Sequence, residues 1–171
     1  MSNKMEKYRT RIANLDDISS ITKIYNEGIE DRMATLETRP RTKEEMEEWF
    51  VKRNEKYKVI VIENTEGKIL GWASLNQYNS RCCYKGIADI SIYIKGSMRG
   101  KGIGKKLMRY LIKTAKNESF YKLVLKMISH NKAAKGLYLS MGFREVGIYK
   151  RHGMLDGNWV DITIMEKLLT D

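Results

Sequence analysis

Apolar residues recur along this chain with two periods, and the switches between them divide it into elements. Lys7–Ile12 reads as a first strand. Asn14-Leu-Asp-Asp then carries a capping residue and early acids, and Ile18, Ile21, Ile24 and Tyr25 follow at helical spacing. Pro40 breaks the chain. Thr42-Lys-Glu-Glu45 forms a capping box ahead of a second helical stripe of Met46, Trp49, Phe50 and Arg53. Val59–Ile62 is continuously apolar, Glu66-Gly67 marks a turn, and Ile69–Leu75 returns, which predicts a hairpin.

The sharpest alternation comes next. Ala88, Ile90, Ile92 and Ile94 share one face of a strand, and Ile87, Asp89, Ser91 and Tyr93 share the other. After Gly96-Ser-Met-Arg-Gly100 a long helix buries Ile103, Leu107, Met108, Leu111, Ile112 and Ala115. Leu123–Ile128 is a further strand. Asn131–Ser140 is a helix with Ala134, Leu137, Tyr138 and Met141 on one side, ended by Gly142. Phe143–Tyr149 and Trp159–Lys167 read as two final strands. The order β, α, α, β, β, β, α, β, α, β, β predicts an α/β (α+β) fold, a mixed central sheet with helices on its faces. No linker interrupts it, so one domain over residues 1–171 is expected.

Length and charge narrow the classes. A chain of 171 residues and 20.0 kDa buries roughly 70% of its extended surface, enough for a core without disulfides or metals. No apolar run approaches the ~20 residues of a membrane span, and Met1 to Arg11 is polar, without the apolar centre of a signal peptide. The cysteines, Cys82 and Cys83, are adjacent, an arrangement that rarely makes a structural disulfide. A soluble, cytoplasmic protein that contacts no membrane is therefore expected. The net charge of +11 suits nucleic acid, a membrane surface or a small polyanion, but the basic residues are spread along the chain and select none of these. His130 and His152 lack partners at metal-ligand spacing, so no metal is expected, and no G-x-S-x-G elbow is present.

The chemistry concentrates at Arg99-Gly-Lys-Gly-Ile-Gly104, between a strand and a long helix. A helix N-terminus offers unpaired N–H groups and about half a positive charge, and glycines let phosphate oxygens approach the backbone closely. Arg99, Lys101, Lys105 and Lys106 surround the same point. The spacing is neither that of a P-loop nor that of a dinucleotide fingerprint. A phosphate-binding turn is the reading.

This loop matches the acyl-CoA pyrophosphate motif R/Q-x-x-G-x-G/A of the GCN5-related N-acetyltransferases (GNAT). Asn131, Ala134, Tyr138, Gly142 and Phe143 resemble that superfamily's second signature, N-x-x-A-x-x-x-Y-x-x-x-G-F. Tyr25-Asn26, Ile29, Thr35, Glu37-Thr38, Trp49-Phe50, Arg81, Tyr84, Asp89, Tyr93, Gly157, Trp159 and Asp161 extend the likeness over nearly the whole chain. They resemble the phosphinothricin and methionine-sulfone type of amino-acid acetyltransferase. The resemblance implies a GNAT fold of about seven strands and about four helices, acetyl-CoA as cofactor, and a homodimer. It implies acetylation of the α-amino group of a small amino acid or analogue by direct transfer, with no role for nucleic acid.

It also implies roles for residues. Acetyl transfer from a thioester needs a neutral amine, a stabilised oxyanion and a protonated leaving thiolate. Asp89 stands where the family has an acidic base, usually the longer Glu, so relay through a water is expected. Tyr138 is the expected general acid. Ile92, Tyr93, Ile94, Arg99, Gly100, Lys101, Gly102, Ile103, Gly104, Lys105, Asn131, Lys135 and Tyr138 are the expected acetyl-CoA contacts, with a backbone N–H near Ile94 meeting the oxyanion. Arg81 is the expected carboxylate anchor, with Thr35, Tyr78 and Tyr84 as pocket neighbours. The chain departs from the subfamily at Gly86, where an aromatic or His is usual, and at Met154-Leu155, where an aromatic-Lys pair is usual. Both changes lie on the acceptor side. They leave protein N-termini or polyamines as alternative acceptors, and a non-catalytic acyl-CoA or nucleic-acid binding module as the alternative class.

Overall fold

The computed structural model describes residues 7–169. The expected domain limits at 1 and 171, and part of the polar start Met1 to Arg11, lie outside the described residues. Strand β1 spans Tyr8–Ile12, and Asn14 caps a 3-10 turn over Leu15–Asp17 through a capping box. The helix α1 itself begins only at Ile18 and runs to Glu30. The early acids expected in its first turn therefore sit in the 3-10 turn. Asp17 there accepts from Arg11, which also pairs with Glu63, and the ion triad ties the turn to the first two strands. Helix α2 covers Lys43–Val51 behind the expected Thr42–Glu45 capping box.

Strands β2 (Val59–Asn64) and β3 (Ile69–Gln77) make the predicted hairpin, followed by β4 (Ile87–Ile94), helix α3 (Ile103–Asn117) and β5 (Lys122–Ile128). Helix α4 (Lys132–Ser140) precedes β6 (Arg144–Leu155) and β7 (Asn158–Leu168). The sheet order is β1-β2-β3-β4-β5-β7-β6, with every neighbour antiparallel except β4 and β5. This is the expected mixed seven-stranded sheet with four helices.

Two cores follow from the strand alternation. On one face Ile60, Ile62, Leu75, Ala88 and Ile90 pack under Ile103, Leu107, Met108 and Leu111 of α3. On the other, Val59, Val61 and Trp72 pack under Ile18, Ile21 and Ile24 of α1 and Met46 of α2. The α2 stripe ends in Arg53, whose guanidinium lies 4.5 Å from the Trp49 ring and donates to the carbonyls of Tyr57 and Leu75 and to Asn76 Oδ1. No helix among the described residues is long and apolar enough to cross a membrane.

One strand differs from its expected length. β6 continues past Tyr149 to Leu155, and its pairing with β7 shifts register between Tyr149 and Gly153. The extra residues Lys150-Arg151-His152, with Arg151 at φ 49°, break the alternation that would have marked the strand. The hairpin then closes through Asp156-Gly157, both at positive φ, and buries Leu155 with Ile128, Ile162 and Leu36.

The central strands matter most for the site. β4 and β5 pair only from Ile87–Asp89 to Lys122–Val124. Beyond Asp89 they part, leaving one backbone edge of Ile92–Ile94 without a strand partner. A parallel pair that opens part-way along its length creates a notch in the middle of the sheet.

Candidate active site

The notch continues into a cleft of about 790 Å³, within the range of small-molecule sites. Its walls are the end of α1, Ile92–Ile94 of β4, the glycine loop, Lys126 and Met127 of β5, and α4 from Asn131 to Ser140. An opening follows from the direction of β4. The glycine loop lies past its C-terminal end. Asp89 lies near its start, next to the loop from Tyr78 to Gly86.

At this opening, a 3-10 turn over Gly96–Met98 leads into Gly100 (φ 73°) and Gly102 (φ 79°), the latter capping α3. A non-glycine residue would be strained at either φ, yet a Cβ at either would meet nothing within 4 Å. The space beside the backbone is open. Among the described residues, no N–H from Gly100 to Lys105 has a hydrogen-bond partner. These orphan donors and the Lys105 side chain fit a pyrophosphate. A Cβ at Gly104 would stand 3.1 Å from Leu137 Cδ2, so this glycine also lets α4 close on α3.

Several expected contacts have other partners as well. The Arg99 guanidinium pairs with Asp31 Oδ2 at 2.5 Å and donates to the Ile94 carbonyl, binding the glycine loop to the end of α1. Lys135 pairs with Glu145 at 2.5 Å. Asn131 uses both ends of its amide: Oδ1 accepts from Ala134 N and caps α4, while Nδ2 donates to the Met33 carbonyl. Its position therefore links α4 to the loop after α1, across the cleft mouth.

Tyr138 lines the cleft, while Asp89, the last β4 residue paired with β5, stands where the notch begins, near enough for its charge to act on the Tyr138 hydroxyl. Burial raises the Asp89 pKa from its ordinary 3.8 to about 6, and the Lys126 charge opposes the shift. Tyr138, buried against Phe143 at a ring distance of 5.8 Å, is pushed far above the ordinary tyrosine range. Burial is the larger cause and the charge of Asp89 the second. The Asp89 charge thus helps to hold the Tyr138 hydroxyl protonated. At neutral pH one is mostly ionised and the other protonated, the pair of states that base and acid roles require.

Tyr93 stacks on Trp72 at 4.8 Å and meets Tyr25 edge-on at 4.9 Å. Burial pushes Tyr25 up to about 12; its hydroxyl bonds Glu37 and Thr35, and Glu37 pairs with Arg41. Thr35 therefore belongs to a polar chain beside Ala34 of the cleft wall. Tyr25, Lys126, Asp31 and Arg41 were not singled out as site residues. Tertiary contact brings Asp31 and Lys126 into the cleft wall and Tyr25 and Arg41 into the polar chain that includes Thr35.

Outside the cleft, beside the start of β4, Tyr78 and Tyr84 meet edge-on at 5.5 Å around a 3-10 turn over Cys82–Tyr84, with Arg81 exposed beside them. These three residues do not line the cleft itself. Both cysteines there are free and exposed. The departure at Gly86 has a structural partner: a Cβ would stand 2.3 Å from the Tyr121 ring, which occupies the space a side chain would need. The departure at Met154-Leu155 places Leu155 against Leu36, and Arg32 pairs with Asp156 at 2.7 Å, so the β6–β7 hairpin supports the loop carrying Ala34 and Thr35.

Comparison with known proteins converges on one group. The family model described as Acetyltransferase (GNAT) family matches residues 21–143. YwnH of Bacillus subtilis strain 168, provisionally named a phosphinothricin acetyltransferase, is 32% identical over 160 residues, 94% of this chain and 98% of the relative. The L-methionine sulfoximine/L-methionine sulfone acetyltransferase of Pseudomonas aeruginosa is 29% identical over 157 residues, 91% of each chain. Among solved structures, a GNAT superfamily phosphinothricin acetyltransferase from Sinorhizobium meliloti in complex with AcCoA superposes with a TM-score of 0.89 at 28% identity. That match covers 95% of this chain and 88% of the other.

Proposed function

The chain belongs to the acetyltransferase (GNAT) family, and from that premise we propose that it acetylates the α-amino group of a small amino acid or amino-acid analogue with acetyl-CoA. The observation that carries the chemistry is the opposed protonation of Asp89, where β4 and β5 part, and Tyr138 in the adjoining cleft wall. The relatives' names carry the acceptor class.

Acetyl-CoA supplies an activated thioester. The orphan N–H groups from Gly100 to Lys105, with the Lys105 side chain, hold its pyrophosphate, and the unpaired edge of Ile92–Ile94 holds the pantetheine arm and offers an N–H to the carbonyl oxygen. An α-amine near pKa 8 enters mostly charged. The Asp89 carboxylate takes the first proton, through a water because its side chain is short, and the amine nitrogen bonds the acetyl carbon as the C–S bond breaks. The second nitrogen proton passes to solvent, from which the phenol that protonates sulfur is replenished. The Tyr138 hydroxyl donates to the departing sulfur. The burial that keeps it protonated also weakens it as an acid, so its hydrogen bond acts first, and the proton follows as charge builds on sulfur. Arg81 is suited to the acceptor's carboxylate from the loop that opens beside Asp89, with Tyr78, Tyr84 and Thr35 around it.

The test is CoA release from acetyl-CoA with L-methionine sulfone, L-methionine sulfoximine, L-phosphinothricin, spermidine and a peptide with a free N-terminus. Turnover confined to the amino-acid analogues is expected. Turnover on spermidine or peptide alone would keep the chemistry and discard the acceptor. The basic surface disfavours polyamines, which it repels.

We further propose that the protein works as a cytoplasmic homodimer. The outer strand β6 and its neighbour expose Val146, Tyr149 and Trp159, the last at 60%, a run of large apolar side chains at a sheet edge. Sedimentation should give twice the chain mass, and Trp159→Glu should shift the species toward monomer. A wild-type monomer at micromolar concentration would sink the proposal.

A further inference from the structure

Behind the donor cleft, across the glycine loop, lies a second concavity of about 490 Å³. Met98 lines both, and Lys101, which lines the second, sits between two glycines that line the first. Lys7, Lys68, Lys95 and Lys101 surround this groove, and no acidic side chain among the described residues lines it. None of the four is in an ion pair among the described residues. Lys7 lies over the Tyr8 ring at 5.5 Å, and Lys101 Nζ touches only Met98 Sδ at 3.9 Å. Arg11, Arg99 and Lys135, by contrast, each sit in an ion pair.

Four like charges around one concavity repel one another, and an anion bound among them relieves that repulsion. Hydrogen bonds fix the backbone at two of them, Lys68 and Lys95. Asn64 Oδ1 accepts from the N–H groups of Glu66 and Lys68 in the β2–β3 turn, and Lys95 N donates to the Leu70 carbonyl. The groove also has an apolar side, formed by the Tyr8 ring, Leu70 and Met98. A polyanion alone would need only the lysines. The apolar side suits a flat heterocycle attached to it.

We propose that this groove is a second ligand site that binds a nucleoside polyphosphate, with the phosphates among Lys7, Lys68, Lys95 and Lys101 and the base against Tyr8 and Met98. The site is separate from acetyl transfer, and its test uses binding rather than turnover, so either reading can fail alone.

The experiment is calorimetric titration of the full-length protein saturated with CoA, at roughly physiological ionic strength, with ATP, inorganic tripolyphosphate and adenosine as probes. ATP is expected to bind saturably with CoA in place, tripolyphosphate more weakly and adenosine not measurably. The Lys68→Gln, Lys95→Gln double variant is expected to weaken ATP by about tenfold or more, with CoA affinity and thermal unfolding unchanged. Absence of saturable ATP binding to the CoA-saturated protein would overturn the proposal, as would binding that the double variant leaves intact. A parallel loss of CoA affinity in that variant would assign these lysines to the donor arm instead. Tripolyphosphate binding as tightly as ATP would overturn the nucleoside part.

Discussion

Asp89→Asn is expected to lower turnover by about 100-fold or more while leaving acetyl-CoA affinity within about a factor of two. Asp89 is the last β4 residue paired with β5, at the point where the notch begins, and the amide that replaces its carboxylate keeps the shape but accepts no proton. The pH dependence distinguishes this from a structural effect. A base must be ionised, and burial has raised Asp89 to about 6, so wild-type kcat/KM should fall below that pH with unit slope. The Asn variant should lose this limb. Stability should move the opposite way. A carboxyl raised in the folded state favours folding below its ordinary 3.8 and loses that advantage as pH rises through about 6. At neutral pH the buried charge therefore costs stability, with a ceiling of about 3 kcal/mol from the size of the shift. Asp89→Asn should thus be at least as heat-resistant as wild type at pH 7 and less active. Unaltered turnover would remove Asp89 from the mechanism.

Such a trade of stability for chemistry was partly written in the sequence. An Asp on the alternating strand Ile87–Ile94 stands out because its neighbours on both faces are largely apolar, and the period-two pattern fixes which face it shares with Ser91 and Tyr93. The Thr42 capping box and the α3 stripe were equally plain, since each is set by residues within a few positions. The structure adds long-range partners that no local pattern encodes. Arg99 reads as a phosphate ligand from its motif, yet it also pairs with Asp31 from the end of α1. Lys135 likewise finds Glu145. Gly86 reads as a departure until Tyr121 is seen in the space its side chain would fill. The far half of β6 was missed because Lys150-Arg151-His152 shifts the register and erases the alternation. The acceptor side suffers most from this limit. As proposed, it draws on the loop after α1 and the Tyr78–Gly86 segment, both irregular, whereas the proposed phosphate contacts fall in one contiguous loop and helix start.

Tyr138→Phe separates the second half of the proposed chemistry from the first. The hydroxyl sits on a buried ring at the cleft wall, and no protein acceptor among the described residues holds it. Removing it should leave the fold intact, because Phe keeps the packing against Phe143 and no hydrogen bond within the protein is broken. Turnover should nevertheless fall by roughly 10²-fold or more, the usual effect of losing one donor aimed at developing negative charge. KM for acetyl-CoA should change little, since the glycine loop and the Ile92–Ile94 edge carry that binding. The wild-type pH profile gives a second check. With the phenol pushed far above its usual range by burial and the nearby Asp89 charge, no alkaline fall in activity up to about pH 10 should come from Tyr138. The variant should keep the acid limb near pH 6, because burial, which raises Asp89, is retained and Asp89 still acts as base. Single-turnover measurement with a saturating amino-acid acceptor would settle the point. A slowed transfer step with the acid limb retained places Tyr138 at the leaving sulfur. An unchanged transfer rate would reduce it to a core aromatic and leave the sulfur to be protonated by solvent.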